Sequence, residues 1–388
     1  MANDYASKPM YEKIFAELRD KITSNQYEAG QRVPSEKELG EQYNVSRITS
    51  KKALELLASE GYIVRKPGRG SFVAEAPYSR IHSAGASPSG NRKPRSASDK
   101  SLIGLIITDF AESYGTDLIY GMEEMSRASD SYLVIRRTLG IPSLEEEAVK
   151  GMLELGVNGL IIFPAQGEYF NAEILKLVID KFPFVLIDRH LKGISAGSIS
   201  TNNVAGASIG TKYLFELGHE RIGFLTPPPA DTTAIEERIE GFIQAHAEQG
   251  IAVDRQLWME DITSTLPSAH TAENRAKDIE KIKEHLRKHP DITAFFATEY
   301  NIARLAVEAV KQLGLSIPED ISIICFDCPE TNGKYELTHL KQNQLEMGRL
   351  AFQHVLSLRD GTAIPEKVLL DATLVVGGST GPVKRAAT

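Results

Sequence analysis

Short, almost wholly apolar runs recur from Leu102 onward, and nothing else in the sequence narrows the fold so far. They are Leu102–Ile107, Tyr132–Ile135, Leu160–Phe163, Phe184–Ile187, Ile222–Leu225, Ala294–Ala297 and Ile321–Phe326. Each is short enough to be a strand, and the lack of polar alternation marks strands buried on both faces. Between most of them lie amphipathic helical patterns, at Thr116–Ser129, Leu144–Leu155, Val204–Leu217, Ile235–Gln249 and Thr271–His289. Such strands alternating with helices predict parallel sheets covered on both sides, and residues 101–388 are enough chain for two α/β lobes. Ligands of these sheets sit beyond the carboxyl ends of the strands, so the loops after the strands are where a site is expected.

The chain ahead of these lobes follows another pattern. Met10–Ser24 reads as a helix, and in Pro34-Ser35-Glu36-Lys37-Glu38-Leu39 the Ser35 side chain is placed to cap a second helix, with Glu38 closing a capping box. That helix is expected to end near Tyr43. Asn44-Val45-Ser46 then turns the chain into a third helix, Arg47–Glu60, whose Ala53, Leu54 and Leu57 recur at helical spacing. In a helix-turn-helix the start of this third helix meets base edges, which assigns base reading to Arg47 and Thr49 and phosphate contact to Lys51 and Lys52. After Gly61, Tyr62–Lys66 and Ser71–Ala74 predict a two-stranded wing about the tip Pro67-Gly68-Arg69-Gly70. Lys66 and Arg69 make it a basic finger for a minor groove.

Pro77–Lys100 is rich in Ser, Pro, Gly, Arg and Lys and has few large apolar side chains, so it is expected to be a mobile tether. The predicted organisation is therefore a winged helix-turn-helix over 1–76, a linker over 77–100 and a two-lobed α/β domain over 101–388. Charge follows the same division. A net charge of −8 excludes a protein that coats nucleic acid over its whole surface. Yet between Ser46 and Phe72 the residues Arg47, Lys51, Lys52, Arg65, Lys66 and Arg69 face only Glu55 and Glu60, and a basic head on an acidic body orients binding to a polyanion. No basic cap leads into an apolar run at the N-terminus, and no apolar stretch approaches the roughly 18 residues of a membrane span. A cytoplasmic protein with no membrane partner is expected. Cys325 and Cys328 have redox or zinc spacing but no second ligand pair, and Cys325, in the apolar run Ile321–Phe326, reads as a small buried residue on a strand. No metal and no cofactor are expected.

The head carries a family resemblance. Pro34-Ser35-Glu36-Lys37-Glu38-Leu39, Val45-Ser46-Arg47-Ile48-Thr49-Ser50-Lys51-Lys52-Ala53-Leu54, and Gly61-Tyr62-Ile63 leading to Gly68-Arg69-Gly70-Ser71-Phe72-Val73 resemble the winged helix of the GntR repressors over nearly all of residues 8–75. The resemblance implies DNA contact from Lys37, Ser46, Arg47, Thr49 and Lys51, with Gly68 at the wing tip. Ser50-Lys51 stands where that family commonly has valine then arginine; lysine keeps the charge and loses the bidentate fork.

In the tail, Leu102-Ile103-Gly104-Leu105-Ile106-Ile107, the run Gly206–Gly218 followed by His219-Glu220-Arg221-Ile222-Gly223-Phe224, Glu237-Arg238-Ile239-Glu240-Gly241-Phe242, Ile317–Ile323 and Phe326-Asp327 resemble the periplasmic-binding-protein-like sensor of the LacI/GalR repressors, over about residues 101–378. Head and tail together are similar to an arabinose-repressor-like architecture. The resemblance implies a small sugar effector such as a pentose, with contacts from Arg238, Asp188 and Asn202. Phe110 and Tyr114 follow the first strand and are placed to stack on a ring; Gln166 follows the third. Glu299-Tyr300 replaces the usual Asn-Asp of that family, and Asp327 matches the first acid of its Phe-Asp-Asp, with Cys328 at the second.

These readings predict a repressor of carbohydrate-utilisation genes that binds a double-stranded operator as a homodimer, since one short head spans too few base pairs. An enzyme is not expected, because G-x-x-x-x-G-K-[ST] and H-E-x-x-H are absent, and His285 and His289 read as a solvated helix face. The alternative is a winged-helix head fused to a metabolic enzyme domain, since GntR heads also occur on an aminotransferase-like enzyme that holds pyridoxal phosphate through a lysine.

Overall fold

The computed structural model describes residues 10–24, 26–59, 62–66, 70–74, 100–165, 171–229, 232–266 and 269–384. Gly68 and Arg69 of the wing tip, Gln166, and all but the last residue of Pro77–Lys100 lie outside the described residues.

The head comprises α1 (Met10–Thr23), α2 (Glu36–Tyr43), α3 (Arg47–Ser59) and the antiparallel pair β1 (Ile63–Lys66) and β2 (Gly70–Val73). Helix α2 starts where expected: the Ser35 side chain accepts from the Glu38 N–H, and the Glu38 carboxylate accepts from the Ser35 N–H at 2.6 Å. It stops at Asn44, whose φ of 50° is a left-handed conformation that asparagine adopts more easily than other side-chain-bearing residues. Ser46 begins α3 by accepting the Thr49 N–H. Phe15 and Leu18 of α1, Leu39 of α2, Leu54 and Leu57 of α3, and Ile63 and Val73 of the wing then close one apolar core.

The two lobes are built twice to one plan. The first runs β3 (Ser101–Ile107), α4 (Thr116–Ala128), β4 (Ser131–Arg137), α5 (Pro142–Leu155), β5 (Gly159–Ile162), α6 (Ala172–Ile179), β6 (Phe184–Ile187) and β7 (Gly197–Thr201). The chain then makes the second lobe with α7 (Asn203–Glu216), β8 (Ile222–Leu225), α8 (Thr233–Gln249), β9 (Trp258–Met259), α9 (Ala272–Lys288), β10 (Ala294–Ala297), α10 (Tyr300–Gln312), β11 (Ser322–Phe326), the short pair β12 (Glu330–Thr331) and β13 (Lys334–Tyr335), and β14 (Thr338–Lys341). It returns to the first lobe through α11 (Gln344–Arg359) and β15 (Lys367–Leu370), and finishes in the second with β16 (Thr373–Val375). The strand orders are β4-β3-β5-β6-β7-β15 and β9-β8-β10-β11-β14-β16. Every pair is parallel except β14 with β16. The order reverses beside β3 in one lobe and beside β8 in the other, which is where a doubly wound sheet opens a crevice.

Three connections join the lobes, and hydrogen bonds tie them together. Thr201 Oγ1 donates to Gln342 Oε1 at 2.5 Å, and Asn202 Nδ2 donates to Asp371 Oδ1 at 3.0 Å. In each lobe a glycine lets two helices touch backbone to backbone. A Cβ on Gly121 of α4 would lie 2.1 Å from the Leu345 carbonyl oxygen of α11, and one on Gly241 of α8 would lie 2.1 Å from the Val204 carbonyl oxygen of α7, closer than real atoms approach. The second contact matters for the site, because it brings Arg238, one turn before Gly241, up to the start of α7.

The expected strands and helices are present with ends shifted by one or two residues, but α6, α11, β7, β9 and β12 to β16 were not foreseen. Strand β7 reads Gly-Ser-Ile-Ser-Thr and offers one large apolar residue, yet Ser198, Ser200 and Thr201 are all buried in it. Cys325 and Cys328 are both buried free thiols. The solvated reading of His285 is corrected: its Nε2 meets the Leu257 carbonyl at 3.1 Å, and burial lowers its pKa. No helix among the described residues is long and apolar enough to cross a membrane.

Candidate functional site

The head gathers its exposed basic residues at the start of α3. Ser46 and Thr49 share a hydroxyl hydrogen bond of 2.9 Å, and the Arg47 side chain beside them is 83 % exposed. Arg47 Nε donates to Glu36 Oε2 at 3.1 Å, while Arg65 from the wing holds the other oxygen of the same carboxylate. Burial pushes the Glu36 carboxyl up, but the two arginines outweigh it and hold its pKa below the usual range. Lys37 and Lys51 are exposed, with Glu41 at 3.9 Å and Glu55 at 3.7 Å. Surface pairs of this kind are worth about 0–1 kcal/mol, so a phosphate can replace the carboxylate. Lys37, Arg47 and Lys66 line one concavity of about 960 Å³ between the helices and the wing.

Two positions differ from the sequence reading of the head. Lys52 is 5 % exposed and turned inward, its ammonium 3.8 Å from the Tyr11 ring centroid, and burial lowers its pKa to about 8. It shares the inner side of α3 with Leu56, one turn on, so it does not reach out with Lys51. Ile48, not singled out from sequence, is 65 % exposed between Arg47 and Thr49. An apolar side chain standing in water between polar readers was visible in the sequence, where it breaks the apolar spacing of α3.

In the sensor, the strand ends of both lobes border a cleft of about 490 Å³. Phe110 and Tyr114 follow β3, Phe163 follows β5, and Asp188 and Arg189 follow β6. From the second lobe come Arg238 on α8, Glu299 and Tyr300 after β10, and Asp327 after β11. Asp188 and Asp327 occupy equivalent places in the two lobes and both have left-handed backbone, with φ of 68° and 56°. That turn throws each carboxylate off the sheet end and into the cleft. Backbone of this kind in a side-chain-bearing residue is costly and collects at functional sites.

The charged groups are tightly placed. Arg238 Nε donates to Asn203 Oδ1 at 2.8 Å and Nη1 to the Thr298 carbonyl at 2.6 Å, while the guanidinium carbon lies 3.8 Å from the Phe326 ring centroid. Its Nη2 has no hydrogen-bond partner among the described residues. The Tyr114 hydroxyl donates to Asp188 Oδ1, and Arg189 Nε donates to Oδ2 at 3.3 Å. Asp327 accepts from Gln342 Nε2 at 2.6 Å. Burial raises the Asp327 carboxyl to about 6, against the opposing pull of the Gln342 hydrogen bond and the Arg238 charge. Burial likewise raises Glu299, with Arg238 and Arg189 lowering it and Asp188 adding to the rise. Glu299 makes no side-chain hydrogen bond among the described residues, although it stands at the head of α10. Thr232 and Thr265 on the wall also keep hydroxyls without partners among the described residues.

Asn202 does not line the cleft. Its side chain caps α7 through the Ala205 N–H and ties down Asp371, and its neighbour Asn203 is the one that meets Arg238. Phe163, Arg189, His270 and Gln342 line the cleft without having been singled out. The first two sit directly at strand ends, where the fold rule points. Gln342 follows β14, a strand whose Thr-His-Leu-Lys sequence gives no apolar signal. Among the described residues no group of three or more His, Cys, Asp or Glu is arranged to hold a metal ion.

Both parts resemble known proteins. Bacterial regulatory proteins of the gntR family match residues 10–73, and the periplasmic binding protein-like domain matches residues 211–380. The arabinose metabolism transcriptional repressor of Geobacillus stearothermophilus is 28 % identical over 382 residues, covering 96 % of this chain and 98 % of that protein. Among solved structures, transcription regulator CcpA of Lactococcus lactis superposes with a TM-score of 0.63 at 19 % identity, over 73 % of this chain and 100 % of that one. A LacI family transcriptional regulator from Enterococcus faecium with bound ribose gives 0.59 at 21 %, over 73 % and 100 %. At these identities the two structures bear on the fold.

Proposed function

The chain joins a GntR-type winged helix to a LacI/GalR-type, periplasmic-binding-protein-like sensor, and from that premise we propose that it represses carbohydrate-utilisation genes, its hold on an operator set by a small sugar. It is a sequence-specific DNA-binding regulator and not an enzyme. The observation that carries the sugar reading is the donor and acceptor set of the cleft. Arg238 is immobilised through two of its nitrogens with Nη2 left over, and Asp188, Glu299 and Asp327 supply carboxylate acceptors around it. A polyhydroxylated ring needs a partner for each hydroxyl and an aromatic for its faces, and Phe110, Phe163 and Tyr300 are at hand. The arabinose metabolism named for one relative supports a pentose as the first candidate.

On the head, Arg47 and Thr49 read base edges, Ile48 supplies an apolar contact suited to a thymine methyl, and Lys37, Ser46, Lys51 and Lys66 hold phosphate. Two heads on a homodimer match a two-fold operator. Sugar binding across the cleft favours one arrangement of the lobes about their three connections, and a differential affinity of about 1–3 kcal/mol between arrangements is enough to change operator occupancy several-fold or more. The test is fluorescence anisotropy of a labelled operator with the full-length protein, with and without each pentose and hexose that raises its melting temperature. Operator release by one sugar is the expected result. If no sugar alters either the melting temperature or the operator affinity, the sensor reading is wrong.

A further inference from the structure

A recess of about 120 Å³ opens off the cleft within the second lobe and shares Thr265, His270 and Asn301 with it. Its own wall is made by Ser264, the Thr271-Ala272 start of α9, and Arg275. Ser264 is 4 % exposed, and its Oγ has no hydrogen-bond partner among the described residues; Thr265 Oγ1 is in the same condition. A buried hydroxyl left unsatisfied is costly, and among the described residues neither of these two has a partner. Their loop is fixed in place because Asp278 Oδ2 accepts both the Thr263 and the Ser264 N–H, at 3.0 and 2.8 Å.

The recess differs in sign from the cleft it joins. The carboxylates of Asp109, Asp188, Glu299 and Asp327 border the cleft, whereas no carboxylate is among the described residues lining the recess. Arg275 gives one Nη2 bond to Glu308 at 2.7 Å and keeps its other N–H groups. Helix α9, 17 residues long, presents its positive end to the recess. Hydroxyls, an amide, an imidazole, a guanidinium and a helix N-terminus around a space of about four waters' volume match a tetrahedral anion, not a second sugar ring.

We propose that this recess is a subsite for an anionic substituent of the effector, a phosphate monoester, so that a sugar phosphate binds with its ring in the cleft and its phosphate against Ser264, Thr265, Asn301 and α9. The inference rests on the sugar reading of the cleft. It is tested by isothermal titration of the full-length protein with an aldopentose, its 5-phosphate, an aldohexose, its 6-phosphate, and inorganic phosphate alone. One ester is expected to bind at least about tenfold tighter than its parent sugar. Ser264→Ala combined with Arg275→Gln is expected to abolish that advantage and leave the affinity of the parent sugar unchanged, which also shows the variant to be folded. Parent sugars binding as tightly as their esters overturn the subsite and leave the sugar reading standing. An ester advantage that survives in the variant also overturns it. Inorganic phosphate binding as tightly as the esters, with free sugars inert, overturns both readings, as does a chain that binds none of the five.

Discussion

The basic face of the head and the charged cleft of the sensor hold their charges in opposite ways. Arg47, Lys37 and Lys51 stand in water, each loosely paired with a carboxylate on the same surface, and they are free to exchange that partner for DNA. Arg238, Asp188 and Asp327 are buried and bonded within the protein, and the two aspartates are held by backbone turns that cost energy to form. A surface charge contributes through its number and its response to salt, while a buried charge contributes through geometry. The head is thus built for a large, regular polyanion met from outside, and the cleft for a small ligand whose hydroxyls must meet fixed positions.

Removing a buried charge should therefore cost most. Arg238→Ala strips partners from Asn203 and the Thr298 carbonyl and is expected to lower effector affinity by about 3 kcal/mol or more, over a hundredfold, with operator binding in the absence of effector unchanged. Arg238→Lys should not restore it, because an ammonium cannot span both acceptors and stack on Phe326. Retention of calorimetric affinity by either variant would collapse the contrast.

A comparable effect comes from pH. Because burial raises the Asp327 pKa to about 6, its protonated form is favoured by folding. The stability this gives is complete below about pH 4 and is lost as pH rises through 6, a swing of about 3 kcal/mol. Asp327→Asn removes the titration and tolerates the left-handed backbone. Melts of the ligand-free protein should show the variant gaining on the wild type between pH 5 and pH 8. Taking the difference cancels the buried histidines, whose lowered pKa values act in the opposite direction. A difference that stays flat across that range would mean the carboxylate is not ionised at a cost.

The head should respond more gently. Arg47→Ala is expected to weaken specific operator binding by about 1–3 kcal/mol and to spare effector affinity. Lys51→Ala should weaken all DNA sequences alike and reduce the slope of log affinity against log salt by about one. Lys52→Ala, at the very next residue but buried on Tyr11, should leave that slope as it was and lower the melting temperature instead. Equal slopes for the two lysine variants would erase the distinction between a free and a buried cation.

What could be read without coordinates follows the same divide. Ser35 with Glu38, and the apolar strands from β3 to β11, announce themselves because local chemistry decides them. Strands β7, β14 and β15 do not, since their stability comes from neighbours far along the chain, and β7 buries serines and a threonine that look like loop. The cleft was legible where residues follow a visible strand, as with Tyr114, Asp188, Glu299, Tyr300 and Asp327. It was not legible at Gln342, after an unseen strand, nor in the choice between Asn202 and Asn203, which depends on the turn at which α7 begins. Lys52 was misplaced because charge suggested an outward side chain where helical phase turns it in.

The threefold passage of the chain between the lobes has a consequence for synthesis. The first lobe cannot complete its sheet until β15, at Lys367–Leu370, has been made, although it opens at Ser101. The helices and wing of the head are made by Val73, and its apolar core takes one later side chain, Leu175. At ribosomal rates of about 5–20 residues per second, the DNA-binding part can fold roughly 10 to 40 s before the part that would regulate it. A message cut short within that interval would release a folded reader of DNA with no working means of being told to let go.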